Sequence, residues 1–140
     1  IKMGKQKKLF LGNLDSKRDW GHARDYVEAM WKILQQKKPD DYVIATGKQL
    51  SIRQFINLVT KKLNLKIIWR GKGLKEKGIE VKTKKDIISI DKNYIRPLDV
   101  NTLLGNASKA RKKLSWKPRT NIDQLIEEMI SEEINILNAE

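Results

Sequence analysis

Two arginines stand apart from the lysine background of this sequence. Arg18 precedes Asp19 and Trp20 in "KRDW", and Arg96 lies in "NYIRPLD", directly before a proline. A guanidinium is a rigid fork that grips a phosphate through two parallel hydrogen bonds, where an ammonium offers only a point charge. Asp99, three residues beyond Arg96, has the chemistry to accept hydrogen bonds from a sugar diol. Together the three suit a sugar carrying phosphate. Taken singly, each arginine is more often a member of a surface ion pair.

Little else in the chain recommends itself for chemistry. There is no GxGxxG, GxxxxGK[ST], HExxH or GxSxG pattern. A Tyr-xxx-Lys acid/base pair is missing too, since Tyr26 is followed by Met30, Tyr42 by Thr46 and Tyr94 by Leu98. The single histidine, His22, sits at the start of an apolar helical pattern and reads as structural or solvent-facing. Without cysteine there is no disulfide and no thiolate metal site, and one histidine makes a protein-built zinc site improbable. No catalytic residue, cofactor contact or metal ligand is assigned within these residues.

The charge is large and uneven. Thirty Lys or Arg against seventeen acids give the 140 residues a net +13. Residues 61–92 carry eleven bases against four acids, 108–119 carry six against none, and 121–140 reverse the sign with six acids and no base. Such a field attracts nucleotides, phosphates or polyanions, and a solvated lysine-rich face accounts for the same numbers. Nucleic acid is the weaker choice: Trp20, Tyr26, Trp31, Tyr42 and Phe55 lie on or beside apolar stripes and read as core, and no nucleic-acid-binding motif is present. No apolar run approaches the roughly 20 residues that span a bilayer, and no signal peptide is visible. The expectation is a soluble cytoplasmic protein without a membrane partner. "IKMGKQKK" (1–8) reads as the polar end of a helix begun earlier, so the chain reads as part of a longer one.

The elements that must position the arginines follow from periodicity. "LFLGN" (9–13) is a strand running into a turn. Ala23, Tyr26, Val27, Met30, Trp31 and Leu34 recur at steps of three and four, predicting an amphipathic helix over 22–36 closed by Lys37, Lys38 and Pro39. "DYVIATG" (41–47) is a continuous apolar run, the pattern of a strand buried on both faces. Ser51 and Gln54 form a capping box for a second helix with Ile52, Phe55, Ile56, Val59 and Leu63 inward. "LKIIWR" (65–70) and "IISID" (87–91) read as strands, and "GKGLKEKG" (71–78) as a mobile loop. Asn106 caps a short helix stopped at "SWKP", and Thr120 with Asp123 caps a last helix carrying Ile122, Leu125, Ile126, Met129, Ile130 and Leu137. The alternation predicts an α/β fold with a partly parallel sheet.

At this point "LFLGNLDSKRDWGHARDYVEAMW", "PDDYVIATG", "YIRPLDVNTLLGNASKARKKLSWKP" and the terminal "LIEEMI" carry a resemblance. Over essentially its whole length the chain resembles the C-terminal part of the GDP-mannose 4,6-dehydratase family, a branch of the extended short-chain dehydrogenase/reductases. The loop at 71–86 is the least family-like stretch. The resemblance implies the C-terminal part of such a fold: the last Rossmann elements plus the small substrate-binding domain, with the NADP-binding N-terminal Rossmann part outside these residues. It implies an NADP-dependent lyase that takes GDP-mannose to GDP-4-keto-6-deoxymannose and water, a homo-oligomeric parent, a place in GDP-fucose biosynthesis, and no turnover by this piece alone.

Carried over residue by residue, the resemblance places Arg18 and Arg96 on the substrate diphosphate and Asp99 on the nucleotide ribose. Asp99 stands where this branch usually has Glu, one methylene longer. Gly12 and Asn13 match a turn passing along the nucleotide, while Asp19 and Asp25 are expected to be structural. Two other readings stay open: a basic nucleotide- or nucleic-acid-binding module without catalysis, and another nucleotide-sugar epimerase or reductase.

Overall fold

A computed structural model describes residues 1–139. In chain order the elements are strands Leu9–Leu11 (β1) and Lys17–Asp19 (β2), helix Ala23–Leu34 (α1), strand Gln49–Ser51 (β3), helix Ile52–Lys62 (α2), strands Ile67–Arg70 (β4), Lys77–Glu80 (β5) and Asp86–Ile90 (β6), and helices Ser108–Leu114 (α3) and Ile122–Ala139 (α4). The chain divides into two compact units, one of residues 1–16 and 51–101, the other of 17–50 and 102–140.

The first unit is a four-stranded sheet in the order β1-β6-β5-β4 together with α2. β1 pairs with β6 in parallel, and β5 runs antiparallel to both β6 and β4, so the sheet is partly parallel as the alternation predicts. Its core is Leu14, Ile56, Ile87 and Ile88, with Leu9, Leu11, Ile52, Ile67, Trp69 and Ile90 packed around them. The capping box forms: the Ser51 hydroxyl accepts from the Gln54 amide, and the Gln54 side chain accepts from the Ser51 amide. At the other end of α2, Asn64 takes a left-handed φ of 54° while the amides of Asn64 and Leu65 donate to the carbonyls of Lys61 and Thr60. This is a Schellman closure in which asparagine replaces the usual glycine.

The sequence reading of 71–78 as one mobile loop is corrected. A short 3-10 turn spans Gly73–Lys75, and β5 begins at Lys77. Gly78 is buried in β5, where a Cβ would stand 3.0 Å from Cβ of Ile88 and 3.2 Å from the Trp69 ring. Three glycines and a run of lysines concealed a strand whose sheet contact is made by the absence of a side chain.

The second unit holds α1, α3 and α4, and its core cluster is Ala29, Ala107, Ala110, Leu114 and Trp116, with Tyr26, Ile33, Tyr42 and Ile44 against them. Trp116 is fully buried, and its indole N–H donates to the main-chain oxygen of Asp25 at 2.8 Å. α1 starts at His22, whose Nδ1 accepts from the Arg24 amide and whose Nε2 faces Glu128 at 3.2 Å. α4 is capped one residue later than Thr120: Asn121 and Gln124 exchange side-chain-to-amide hydrogen bonds as a second capping box.

Three further expectations are corrected in this unit and at the chain start. Residues 41–47 are not a strand; the run is apolar, but among the described residues no strand pairs with it, and pairing is what makes a strand. The apolar stripe of α1 is not all core: Ala29 and Asp25 are buried, whereas Val27, Met30 and Trp31 are each 61% exposed and Leu34 is 80% exposed. Residues 1–8 form turns and coil, not a helix end.

Candidate functional site

Four of the five candidate residues, Gly12, Asn13, Arg96 and Asp99, fall in the first unit, and Arg18 falls in the second. In the first unit two segments, 11–16 at and beyond the end of β1 and 91–99 after β6, run against each other at three places. The Asp91 amide donates to the Leu11 carbonyl at 2.8 Å. A Cβ on Gly12 would lie 2.2 Å from the main-chain oxygen of Tyr94, an approach open only to glycine. The Ser16 hydroxyl donates to Oδ2 of Asp99 at 2.9 Å.

Each segment is braced in turn. The Asn13 side chain accepts from the Asp15 amide, fixing the turn after β1. The first two amides of α2, Ile52 and Arg53, donate to the carbonyls of Ser16 and Leu14, so donors left over at a helix start hold this turn. Arg53 also grips Asp15 at 3.0 Å and both oxygens of Glu76, and its guanidinium lies 4.9 Å from the Trp69 ring centre. Those partners raise its already high pKa, the Glu76 hydrogen bond foremost. This arginine is thus taken up in structure.

Arg96 is different. It lies on the exposed stretch between Asp91 and Asp99, and its carbonyl accepts from the Asp99 amide in a turn. Among the described residues no acid pairs with its guanidinium: Asp91 accepts from the Asn93 amide, and Asp99 accepts from Ser16. The surface ion pair that would make Arg96 merely structural does not form with either carboxylate. Arg18, in β2 and half-buried, donates from Nη1 to the Lys17 carbonyl at 2.8 Å.

The two acids beside Arg18 in sequence are anchors, as expected. Asp19 accepts from the Thr46 amide and hydroxyl and from the Gly47 amide, at 2.6 to 2.8 Å. Asp25, 4% exposed, accepts from the amides of Arg119 and Thr120 just ahead of α4. Burial, and then the charges of Asp19 and Asp25, raise the pKa of Tyr26. Ser16 was not among the residues the sequence suggested, and a serine without motif context carries no signal that could have found it.

Residues 1–129 match the sequence pattern of the family described as GDP-mannose 4,6 dehydratase. The chain belongs to the GDP-mannose 4,6-dehydratase family. It is 48% identical over 137 residues to the GDP-mannose 4,6 dehydratase of Dictyostelium discoideum, covering 98% of this chain and 38% of that protein. The chain thus spans about two fifths of the length of the relatives it matches. Among solved structures, RMD from Pseudomonas aeruginosa complexed with NADPH superposes with a TM-score of 0.64 at 20% identity, over 89% of this chain and 35% of that one. The dTDP-glucose 4,6-dehydratase of Bacillus anthracis in complex with NAD gives 0.66 at 18% identity, over 89% and 34%. The chain therefore shares its α/β fold with a part of each of these two proteins.

Two glycines allow close packing within their own units: a Cβ on Gly12 would meet the Tyr94 oxygen, and one on Gly105 would lie 2.3 Å from the Ala45 methyl. No helix of the described residues is long and apolar enough to cross a membrane.

Proposed function

We propose that this chain is the GDP-mannose-binding portion of a GDP-mannose 4,6-dehydratase. In this reading Arg96 and Arg18 hold the diphosphate, Asp99 and the Gly12-Asn13 turn lie beside the nucleotide, and the sugar chemistry is done by residues outside this chain. The intact enzyme is an NADP-dependent lyase of the cytoplasm, a homo-oligomer feeding GDP-fucose formation, and NADP is held by the N-terminal Rossmann part. The observation that carries the reading is Arg96: a guanidinium free of carboxylate partners among the described residues, on a segment braced at both ends, in a chain of this family. A +13 chain favours the approach of a doubly charged diphosphate.

Two features of the second unit support its being one part of a larger fold. Val27, Met30, Trp31 and Leu34 form an exposed apolar stripe on α1, and the apolar run 41–47 has no pairing strand among the described residues. Both have the character of surfaces that a further layer covers. The reading is tested by titrating GDP, GDP-mannose and mannose into the chain by calorimetry. GDP and GDP-mannose are expected to bind alike and mannose not at all; binding of mannose without phosphate, or no binding of either nucleotide, would contradict it.

A further inference from the structure

We propose that Ser16 is a positioning residue of this site, acting through Asp99 to fix how Arg96 is presented. The inference rests on the nucleotide-binding reading above and adds a residue to it. Ser16 is 2% exposed, yet it carries a hydroxyl, and a hydroxyl taken from water needs a partner. That partner is Oδ2 of Asp99 at 2.9 Å, a charge-assisted bond formed across 83 residues of sequence. Ser16 is itself tied to α2, because its carbonyl accepts from the amide of Ile52, the first residue of that helix. The connection therefore runs from α2 through Ser16 to Asp99, and from the Asp99 amide to the Arg96 carbonyl at 3.1 Å.

The consequence concerns entropy. Arg96 sits on an exposed segment whose upstream end is tied at Asp91 to Leu11 and whose downstream end is tied at Asp99 to Ser16. With both ends tied, less backbone freedom remains to be lost when the guanidinium closes on a phosphate. The short reach of Asp99 suits this role, since an aspartate three residues from Arg96 meets a hydroxyl held on the neighbouring turn. One of its oxygens is thereby committed to Ser16.

The test is a double-mutant cycle on the chain as it stands, with GDP affinity and amide hydrogen exchange as its two readouts. Ser16→Ala is expected to speed exchange at the Asp99 amide and to weaken GDP by about tenfold, the range of a hydrogen bond to a charged group. On an Arg96→Ala background the same change should alter GDP affinity less than about twofold, because its effect passes through Arg96. Equal losses on both backgrounds, or an unchanged Asp99 exchange rate in Ser16→Ala, would overturn the proposal. If the parent chain and Arg96→Ala bind GDP alike, the nucleotide reading itself fails, and the exchange result still decides whether Ser16 ties the segment.

Discussion

The main-chain oxygen of Tyr94 occupies the space in which a side chain on Gly12 would begin, 2.2 Å from the position of its Cβ. The turn after β1 and the segment bearing Arg96 can lie this close only because residue 12 has no side chain. Gly12→Ala must push the backbone at Tyr94 and Ile95 away, and forced overpacking of this kind costs about 1–3 kcal/mol. We expect a lower melting temperature and weaker GDP binding together in Gly12→Ala. A variant with parent-like melting and affinity would show that the two segments part freely.

Asp25 tests the anchoring of the second unit separately. Its buried carboxylate accepts from the Arg119 and Thr120 amides, and Asp25→Ala leaves both donors without it. A donor left buried and unsatisfied costs about 1–3 kcal/mol, and because these two bonds are part-buried the combined loss should lie near the low end, roughly 2–3 kcal/mol. Denaturant unfolding is the measurement; a loss under about 1 kcal/mol would mean that water or a shifted backbone satisfies the amides.

Much of this organisation was legible from spacing, and the exceptions have physical causes. Ser51 and Gln54 announce a capping box because both partners lie within one turn of chain, and α1 is readable from steps of three and four. Periodicity identifies an apolar face but not what covers it, so the same pattern that predicts α1 left Val27, Met30, Trp31 and Leu34 on the surface. The run 41–47 has the composition of a strand, yet strand formation depends on a neighbour that composition does not reveal. β5 was hidden by its glycine and lysines. As for the site, Arg18, Arg96 and Asp99 were legible as residue types suited to phosphate and sugar, and their grouping came from the resemblance. The Ser16–Asp99 bond joins positions 83 apart and has no local trace.

The exposed stripe on α1 makes a prediction for the isolated chain. Apolar side chains at Val27, Met30, Trp31 and Leu34 should bind a hydrophobic dye and promote self-association. Replacing Val27 and Trp31 by Glu should lower dye fluorescence and sedimentation-detected association, with little change in melting temperature because neither side chain is core. A large fall in melting temperature would mean the stripe is already buried in solution.

Catalysis should be absent from these residues alone. No turnover of GDP-mannose is expected from the purified chain, with or without added NADP, because the residues for hydride transfer and proton abstraction are proposed to lie elsewhere. Mass-spectrometric detection of a 4-keto-6-deoxy product from this chain would refute that assignment.

Salt dependence separates a nucleotide-sugar site from a nucleic-acid surface. A protein neutralising many phosphates of a polyanion loses affinity steeply as salt rises, through release of condensed counterions. A diphosphate held by two arginines should give a much shallower slope. We expect weak, steeply salt-sensitive binding to a random oligonucleotide, and GDP binding that persists at physiological salt. The opposite pattern would favour the basic-module alternative.

The most direct test is GDP affinity across Arg96, Arg96→Lys and Arg96→Ala, with melting temperature followed alongside. A bidentate, charge-assisted contact contributes roughly 1.5–3 kcal/mol, about ten- to a hundredfold in affinity. Lysine keeps the charge and loses the fork, so Arg96→Lys should fall short of the parent and Arg96→Ala should fall furthest, both melting as the parent does because the bond Arg96 makes to the Asp99 amide runs through its main-chain carbonyl, which both variants keep. Parent-like GDP affinity in both variants would remove the guanidinium from the site and contradict the account at its centre.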